Sequence, residues 1–332
     1  MPLVSLDAIE AYALRALVEA GATPANARPV ARSIRLAEAD DIRSVGLGYL
    51  PTYLAHLRTG KVDGKAVPVV TQRATAVVHV DAANGFAHPA FEAGFPALAI
   101  AARACGTATM TVTRSYSAGV LGHPVEDLAG LGLVAFAVTN SPPNIAPWGG
   151  IKPLFGTNPM AFAAPRREGP PLVIDQATSV VTKVALRARA DAGEVLPEGW
   201  ALDPEGRPTT DPQAALAGTL LPFGGAKGGA LALMIDLFAA GLTGANFSKD
   251  ASPYAKADGP PSGVGQFFTV WDPAAFDAGF PARIEELFTA MLAQDGVRLP
   301  GDRRLAARAH NLHAGVEINN DLYSRLHGPE TP

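Results

Sequence analysis

The spacing of apolar and polar positions changes along this chain, and the change divides it. Over the first sixty residues the period is helical. Ser5 predicts the N-cap of a helix over Leu6–Glu19, with Gly21 just past its end. Thr23-Pro24 opens a second helix through Val30, Ile34 and Leu36, the proline standing where its missing N–H costs nothing. A third is predicted over Tyr49–Leu57, ending near Gly60. From Ala76 the pattern turns extended. Ala76–Val80 is β-branched and is followed by the turn pair Asn84-Gly85. Strands are predicted at Thr107–Thr113, Leu133–Val138 and Gln266–Trp271, and helices at Ala90–Ala102, Gly228–Leu242 and Ile284–Leu292. Between them lie two stretches dense in Gly, Pro and Asn, Asn140–Asn158 and Gly199–Gly225. Loops this long in a compact protein usually carry function.

Composition narrows the classes. The 332 residues are 48% hydrophobic, enough for roughly two domains of ~150 residues with real cores. Glycine (34) and proline (29) are in excess, which means many tight turns rather than disorder. A net charge of −4 offers no basic field to nucleic acid or an anionic membrane. The single cysteine, Cys105, excludes an internal disulfide and a cysteine zinc site. No basic region and apolar run opens the chain, and the longest apolar stretch, Gly228–Gly241, contains Asp236 and is too short to span a bilayer. A soluble cytoplasmic protein is expected.

Candidate chemistry is thin when each motif stands alone. Of seven histidines only His310 and His313 are close, and no nearby carboxylate completes a ligand set, so no metal is expected. A Gly-x-Gly-x-x-Gly dinucleotide fingerprint after an early strand is absent, as is a Walker A loop. Three segments could meet an anion. Gly224-Gly225-Ala226-Lys227 places bare backbone and one ammonium at a helix start. Ser115–Gly122 follows a strand with small residues and hydroxyls. Pro300-Gly301-Asp302-Arg303-Arg304 carries paired arginines, alternatively an exposed loop with solvated charges.

Taken together, ordered motifs resemble the type-2 malate/L-lactate dehydrogenase family. They are Gly149-Gly150 with Gly156-Thr157-Asn158-Pro159, then Asp175-Gln176-Ala177-Thr178-Ser179, then Pro197-Glu198-Gly199-Trp200. Pro208–Pro212, Pro222–Gly228 and Leu242-Thr243-Gly244-Ala245 complete the series, so the likeness covers nearly the whole chain. The resemblance implies an α+β, non-Rossmann homodimer. Its helical, substrate and dimer domain would be built from residues 1–75 with 275–332, and its NAD(P)H-binding domain, on a largely antiparallel sheet, from 76–274. It implies cofactor contacts by Ser117, Ala118, Gly119, Val120, Leu121, Asp175, Gln176, Ala177, Lys227, Gly301, Asp302, Arg303 and Arg304. It also implies that Ser44 and Thr157 face a small carboxylate substrate, Ser44 with a catalytic part.

The departures from that family matter most. Its Ser-His-Gly-x-x-Arg segment reads Ser44-Val45-Gly46-Leu47-Gly48-Tyr49 here, so the proton-donating histidine is Val45 and the carboxylate-binding arginine is Tyr49. The usual His-Phe-Gly of the cofactor loop is Ser117-Ala118-Gly119, and the histidine's acidic partner falls on Val184 or Ala185. Reducing a ketone creates an alkoxide and needs a positioned acid. A protonated imine becomes a neutral amine and needs none. The expected activity is therefore NADPH-dependent (NADH possible) reduction of Δ1-pyrroline-2-carboxylate or Δ1-piperideine-2-carboxylate, with Tyr49 hydrogen-bonding the carboxylate. NADPH over NADH rests on Arg303 and Arg304 being free for a 2′-phosphate. The alternatives are a 2-hydroxyacid dehydrogenase acting on malate, lactate or sulfolactate, with His88 or His123 as substitute acid, and a cofactor-binding protein without catalysis.

Overall fold

A computed structural model describes residues 2–327, which form a helical cluster and a mostly antiparallel seven-stranded sheet. The chain begins with a short strand, β1 (Leu3–Val4), and the helices α1 (Leu6–Glu19), α2 (Pro24–Ala39) and α3 (Leu50–Thr59). Ser5 accepts a hydrogen bond from the Ala8 N–H and Thr23 from the Asn26 N–H, so both predicted caps are made. Gly60 ends α3 at φ 75°, a left-handed position that glycine takes without strain. Ile9, Ala13 and Leu17 of α1 are fully buried against Val30 and Ile34 of α2.

The sheet starts with β2 (Val69–Ala74) and β3 (Val77–Asp81). Then α4 (Ala87–Cys105) crosses over to β4 (Thr107–Ser115), which runs parallel to β3. After α5 (Gly122–Gly130) come β5 (Val134–Thr139), β6 (Met160–Ala164) and β7 (Leu172–Gln176). A lobe follows, made of α6 (Lys183–Asp191), β8 (Ala201–Leu202), β9 (Pro208–Thr209), α7 (Pro212–Ala217) and β10 (Thr219–Leu220). It has its own small core around Leu186, Leu196 and Leu220. Next, α8 (Ala226–Asp236) leads to β11 (Val264–Trp271), which inserts between β4 and β5. Every other pairing in the sheet is antiparallel. Helices α4 and α5 cover one face, packing Leu98 and Leu128 with Met110, Val112 and Phe268. Gly94 permits this contact, because a Cβ there would lie 2.4 Å from the Met110 sulfur and 2.7 Å from Val80.

The chain then closes on its beginning. After α9 (Phe280–Leu292) and α10 (Asp302–Ala314), β12 (Val316–Glu317) pairs with β1 and leads to α11 (Asn320–His327). α10 also packs on α2. Three expectations change here. The helix predicted over Gly228–Leu242 is α8 only to Asp236, followed by a π turn over Leu237–Gly241. Strands β2, β6 and β7 are added. Arg303 and Arg304 sit in the first turn of α10 rather than in a loop.

Candidate active site

A cleft of about 550 Å³ opens between the helical cluster and the far edge of the sheet. One wall is Ile42, Ser44 and Val45, in and beside the single 3₁₀ turn after α2. Opposite stand Val173, Asp175, Gln176 and Ala177 at the end of β7, with Thr157 and Pro159 before β6. The loop before α5 contributes Gly119, Val120 and Gly122; α6 contributes Thr182 and Val184; the segment leading into α10 contributes Arg298, Gly301, Arg303 and Arg304. Ten sequence-predicted residues thus meet in one cavity: Ser44, Gly119, Val120, Thr157, Asp175, Gln176, Ala177, Gly301, Arg303 and Arg304.

The other predicted residues sit elsewhere. Ser117 braces the loop, its hydroxyl accepting from the Gly119 N–H at 3.3 Å, while Ala118 and Leu121 are buried beneath it. Asp302 turns back on its own segment and accepts the Leu299 N–H at 2.8 Å. Lys227 is exposed on the first turn of α8 and is not part of the cleft wall. Tyr49 is not part of the wall either. Its ring meets Tyr53 edge-on at 4.9 Å, and its hydroxyl hydrogen-bonds to Tyr116, so the group expected to reach a carboxylate is engaged inside an aromatic cluster.

The Gly156-Thr157-Asn158-Pro159 motif is a structural lock. Asn158 is fully buried at φ 34°; its amide donates to the Ala232 carbonyl at 2.9 Å, and its oxygen accepts from Ser248 at 3.2 Å. This pins the Thr157 loop to α8. Thr157 in turn accepts the Thr178 N–H at 2.9 Å, joining the loop to the end of β7.

Among the described residues, Asp175 is the one carboxylate on the wall. It is ringed by protein yet faces the open cleft, and the burial raises its pKa even though Oδ2 accepts the Gly122 N–H at 2.7 Å. At Gly122 an added Cβ would lie 3.1 Å from this carboxylate, so the close approach needs glycine.

Arg304 corrects an expectation. Its Nη1 donates to Asp40 at 2.9 Å and to Glu126 at 2.7 Å, so it is not free for a 2′-phosphate in the way the sequence suggests. Its Nη2 is buried and has no hydrogen-bond partner among the described residues. Arg308 bridges the same two carboxylates, and His123 Nε2 lies 2.9 Å from Asp40. Burial alone would raise the Asp40 pKa, but hydrogen bonds from Arg308 and His123 and the charge of Arg304 hold it well below the usual carboxylate range.

Neither His123 nor His88 reaches the cleft. Both line a separate, partly open pocket of about 50 Å³ beside Val120 and Pro124, room for a few waters. His88 makes no well-formed hydrogen bond there, and burial pushes its pKa down to about 4. Three cleft residues escaped the sequence reading altogether. Ile42 precedes the 3₁₀ turn, Thr182 caps α6, and Arg298 lies in a stretch without a motif.

The profile of the malate/L-lactate dehydrogenase family matches residues 4–327. The chain is 48% identical over 306 residues to the (2R)-3-sulfolactate dehydrogenase (NADP(+)) of Chromohalobacter salexigens, spanning 92% of each chain. It is 43% identical over 319 residues to the Δ1-pyrroline-2-carboxylate/Δ1-piperideine-2-carboxylate reductase of Pseudomonas syringae pv. tomato, spanning 94% of this chain and 92% of the other. The crystal structure of Δ1-piperideine-2-carboxylate reductase from that organism superposes with a TM-score of 0.93 at 41% identity, covering 98% of this chain and 99% of the other.

Proposed function

The chain belongs to the malate/L-lactate dehydrogenase family, and within it we propose that this protein is an NADPH-dependent reductase of cyclic imine 2-carboxylates. The substrate is Δ1-pyrroline-2-carboxylate or Δ1-piperideine-2-carboxylate, and the product L-proline or L-pipecolate. One observation carries this reading. Val45 occupies the wall beside Ser44, and among the described residues no histidine, lysine, cysteine or tyrosine lines the cleft. A site so poor in proton donors suits a substrate that arrives protonated.

The residues fit a dinucleotide. At Gly119, at φ 64°, an added Cβ would lie 3.2 Å from Ser33 Oγ and 3.3 Å from His88 Nε2, so this loop packs closely only with glycine, and Arg304, on the cleft wall, keeps a buried donor without a partner among the described residues. When bound, NADPH supplies a hydride to the imine carbon. Asp175–Ala177, Gly119–Val120 and the Arg298–Arg304 segment would hold the cofactor. Ser44 and Thr157 orient the carboxylate as neutral donors. The C=N π electrons move to nitrogen as the carbon–hydrogen bond forms, so the iminium becomes a neutral amine with its original proton retained. A 2-oxo acid would instead leave an alkoxide with no histidine beside it to supply the proton.

The largely antiparallel sheet supports a non-Rossmann cofactor site, and the β1–β12 pairing supports one domain formed from both ends of the chain. The apolar α8 supports a homodimer. No helix among the described residues is long and apolar enough to cross a membrane, and the exposed free Cys105 suits a reducing cytoplasm. A second reading, (2R)-3-sulfolactate oxidation, is supported by the 48% identity to an enzyme of that name. Absorbance at 340 nm decides between them. Consumption of NADPH with the cyclic imine and little with oxaloacetate, pyruvate or sulfopyruvate is expected. The opposite pattern overturns the proposal.

A further inference from the structure

One buried carboxylate belongs neither to the cleft wall nor to the network around Asp40. Glu38, in the last turn of α2, is 2% exposed and makes no ion pair among the described residues. Its Oε1 accepts the Leu47 N–H at 2.7 Å, so the side chain reaches across the turn that carries Ser44 and Val45 into the cleft. Gly46 lies directly on this carboxyl. A Cβ there would stand 2.9 Å from Glu38 Cδ and closer still to Oε1, so the approach needs glycine. The Arg43 carbonyl closes the other side of the turn, accepting the Gly46 N–H at 3.2 Å and the Gly48 N–H at 3.3 Å. The Ser44 hydroxyl on this braced turn is exposed and hydrogen-bonds to none of the described residues. Burial raises the Glu38 pKa, opposed by the Leu47 N–H and the charge of Arg43. A carboxylate buried without a paired cation is costly to keep. An apolar side chain would fill the same space, but it would leave the Leu47 N–H without an acceptor.

We propose that Glu38 is a positioning residue for substrate binding: its carboxyl fixes the turn between α2 and α3 and thereby aims the Ser44 hydroxyl at the substrate's carboxylate. Glu38 does not line the cleft, so it touches neither substrate nor cofactor and acts through Ser44. Without the acceptor, the Leu47 N–H must find another partner and the turn moves. A displacement of about 1 Å in an orienting group can cost on the order of a hundredfold in rate. The members of the Ser44-Val45-Gly46 run then have separate parts: Ser44 meets the substrate, and Gly46 makes room for the carboxyl beneath it. The inference rests on the reductase reading above, in which Ser44 donates to the substrate's carboxylate.

A double-mutant cycle tests the coupling. Steady-state kinetics with Δ1-pyrroline-2-carboxylate and Δ1-piperideine-2-carboxylate, and the NADPH dissociation constant from nicotinamide fluorescence, are measured for Glu38→Ala, Glu38→Gln, Ser44→Ala and the Glu38→Ala, Ser44→Ala pair. Glu38→Ala is expected to lower kcat/KM about tenfold or more, chiefly through KM, with NADPH affinity within twofold of the wild type. Glu38→Gln keeps an acceptor oxygen for the Leu47 N–H and should stay within threefold. With Ser44 already replaced, adding Glu38→Ala should cost less than twofold more. If Glu38→Ala does not fold, Glu38→Asp, which shortens the reach by one methylene, takes its place in the cycle. Independent effects at the two positions, an equal weakening of NADPH, or a Ser44→Ala enzyme as active as the wild type each overturn the positioning role and leave the reductase reading intact. A wild type that reduces neither cyclic imine overturns the reading itself.

Discussion

Nη1 of Arg304 donates to Oδ2 of Asp40 at 2.9 Å, and this contact ties the cleft wall to the end of α2. Asp40 is wholly buried, and Arg308, His123 and Glu126 complete a network that joins α2, α5 and α10. Removing one member of such a network strands the others without a counter-charge, at a typical cost of about 3–5 kcal/mol. Asp40→Asn is therefore expected to lose about that much stability in urea denaturation. The folded pKa of Asp40 is depressed, so its contribution is complete above the unfolded value near ~3.9 and disappears as pH falls below it. The variant should lack that acid-dependent loss. An unchanged urea midpoint at neutral pH would show that the network contributes nothing to the fold.

His88 gives a separate pH window. Its folded pKa of about 4 lies below the unfolded value near ~6.5, with burial the chief cause and the charges of His123 and Arg32 contributing. As pH falls from about 6.5, the unfolded chain binds a proton that the folded chain refuses, so stability is lost until about pH 4. The total is at most about 3.5 kcal/mol, at ~1.4 kcal/mol per pKa unit. His88→Phe should flatten this part of the profile, the neighbouring cavity of about 50 Å³ absorbing the added volume. A wild-type stability that is level between pH 7 and 4.5 would rule the effect out.

These two groups also mark the limit of what the sequence discloses. Caps, turns and the apolar stripes of α1 and α2 are local, and they are legible because each cause lies within four residues of its effect. Strand β2 was not legible: all six of its residues are exposed, so no buried face writes an alternating pattern. β6 hides behind alanines, whose small side chains give no strand signal although three of them are buried. The family motifs located most of the cleft wall. They could not say where Tyr49 points, nor that Arg308 reaches an aspartate 268 positions away. Charge pairing across distant segments is a property of packing, and one sequence does not encode it in any spacing.

Tyr49 offers a direct comparison of the two readings. Placed in the substrate site, its hydroxyl would hold the carboxylate, and Tyr49→Phe would raise KM severalfold. Engaged with Tyr116 and packed on Tyr53, it is a structural group. The structure favours a KM within twofold of the wild type, with a stability loss of about 1 kcal/mol for one hydrogen bond. Steady-state kinetics with the imine, alongside thermal unfolding, separates them, and a large KM effect with unchanged stability would return Tyr49 to the site.

Val45 tests the chemical argument itself. It lines the cleft where the family's proton-donating histidine is expected. Val45→His restores an acid beside Ser44, and positioned acids contribute typically ~10²–10⁴-fold to steps that need a proton. Because Val184 and Ala185 supply no carboxylate to orient the new ring, the lower end, about a hundredfold, is the expected gain for oxo-acid reduction. Imine reduction should change far less. If oxo-acid turnover does not rise while the variant still binds NADPH, the missing histidine is not what separates the two substrate classes.

The outer face of α8 bears on assembly. Leu233 is 47% exposed, Met234 38% and Leu237 52%, and the exposed Leu242 and Phe247 follow. A helix apolar on every side is normally covered, and here the chain itself covers only the side that bears Ala232 and Ile235. Trp148, 62% exposed, extends the apolar surface past the start of the helix, where Gly225 and Gly229 make room for its side chain. A second copy of the chain is the partner that a homodimer provides. Light scattering of the wild type should give twice the 34.3 kDa chain mass. Leu237→Glu buries an unpaired carboxylate in that interface, a cost of several kcal/mol, and should leave a folded monomer at micromolar concentration. A variant that remains dimeric would move the interface to another face of the molecule, and a monomeric wild type would remove it.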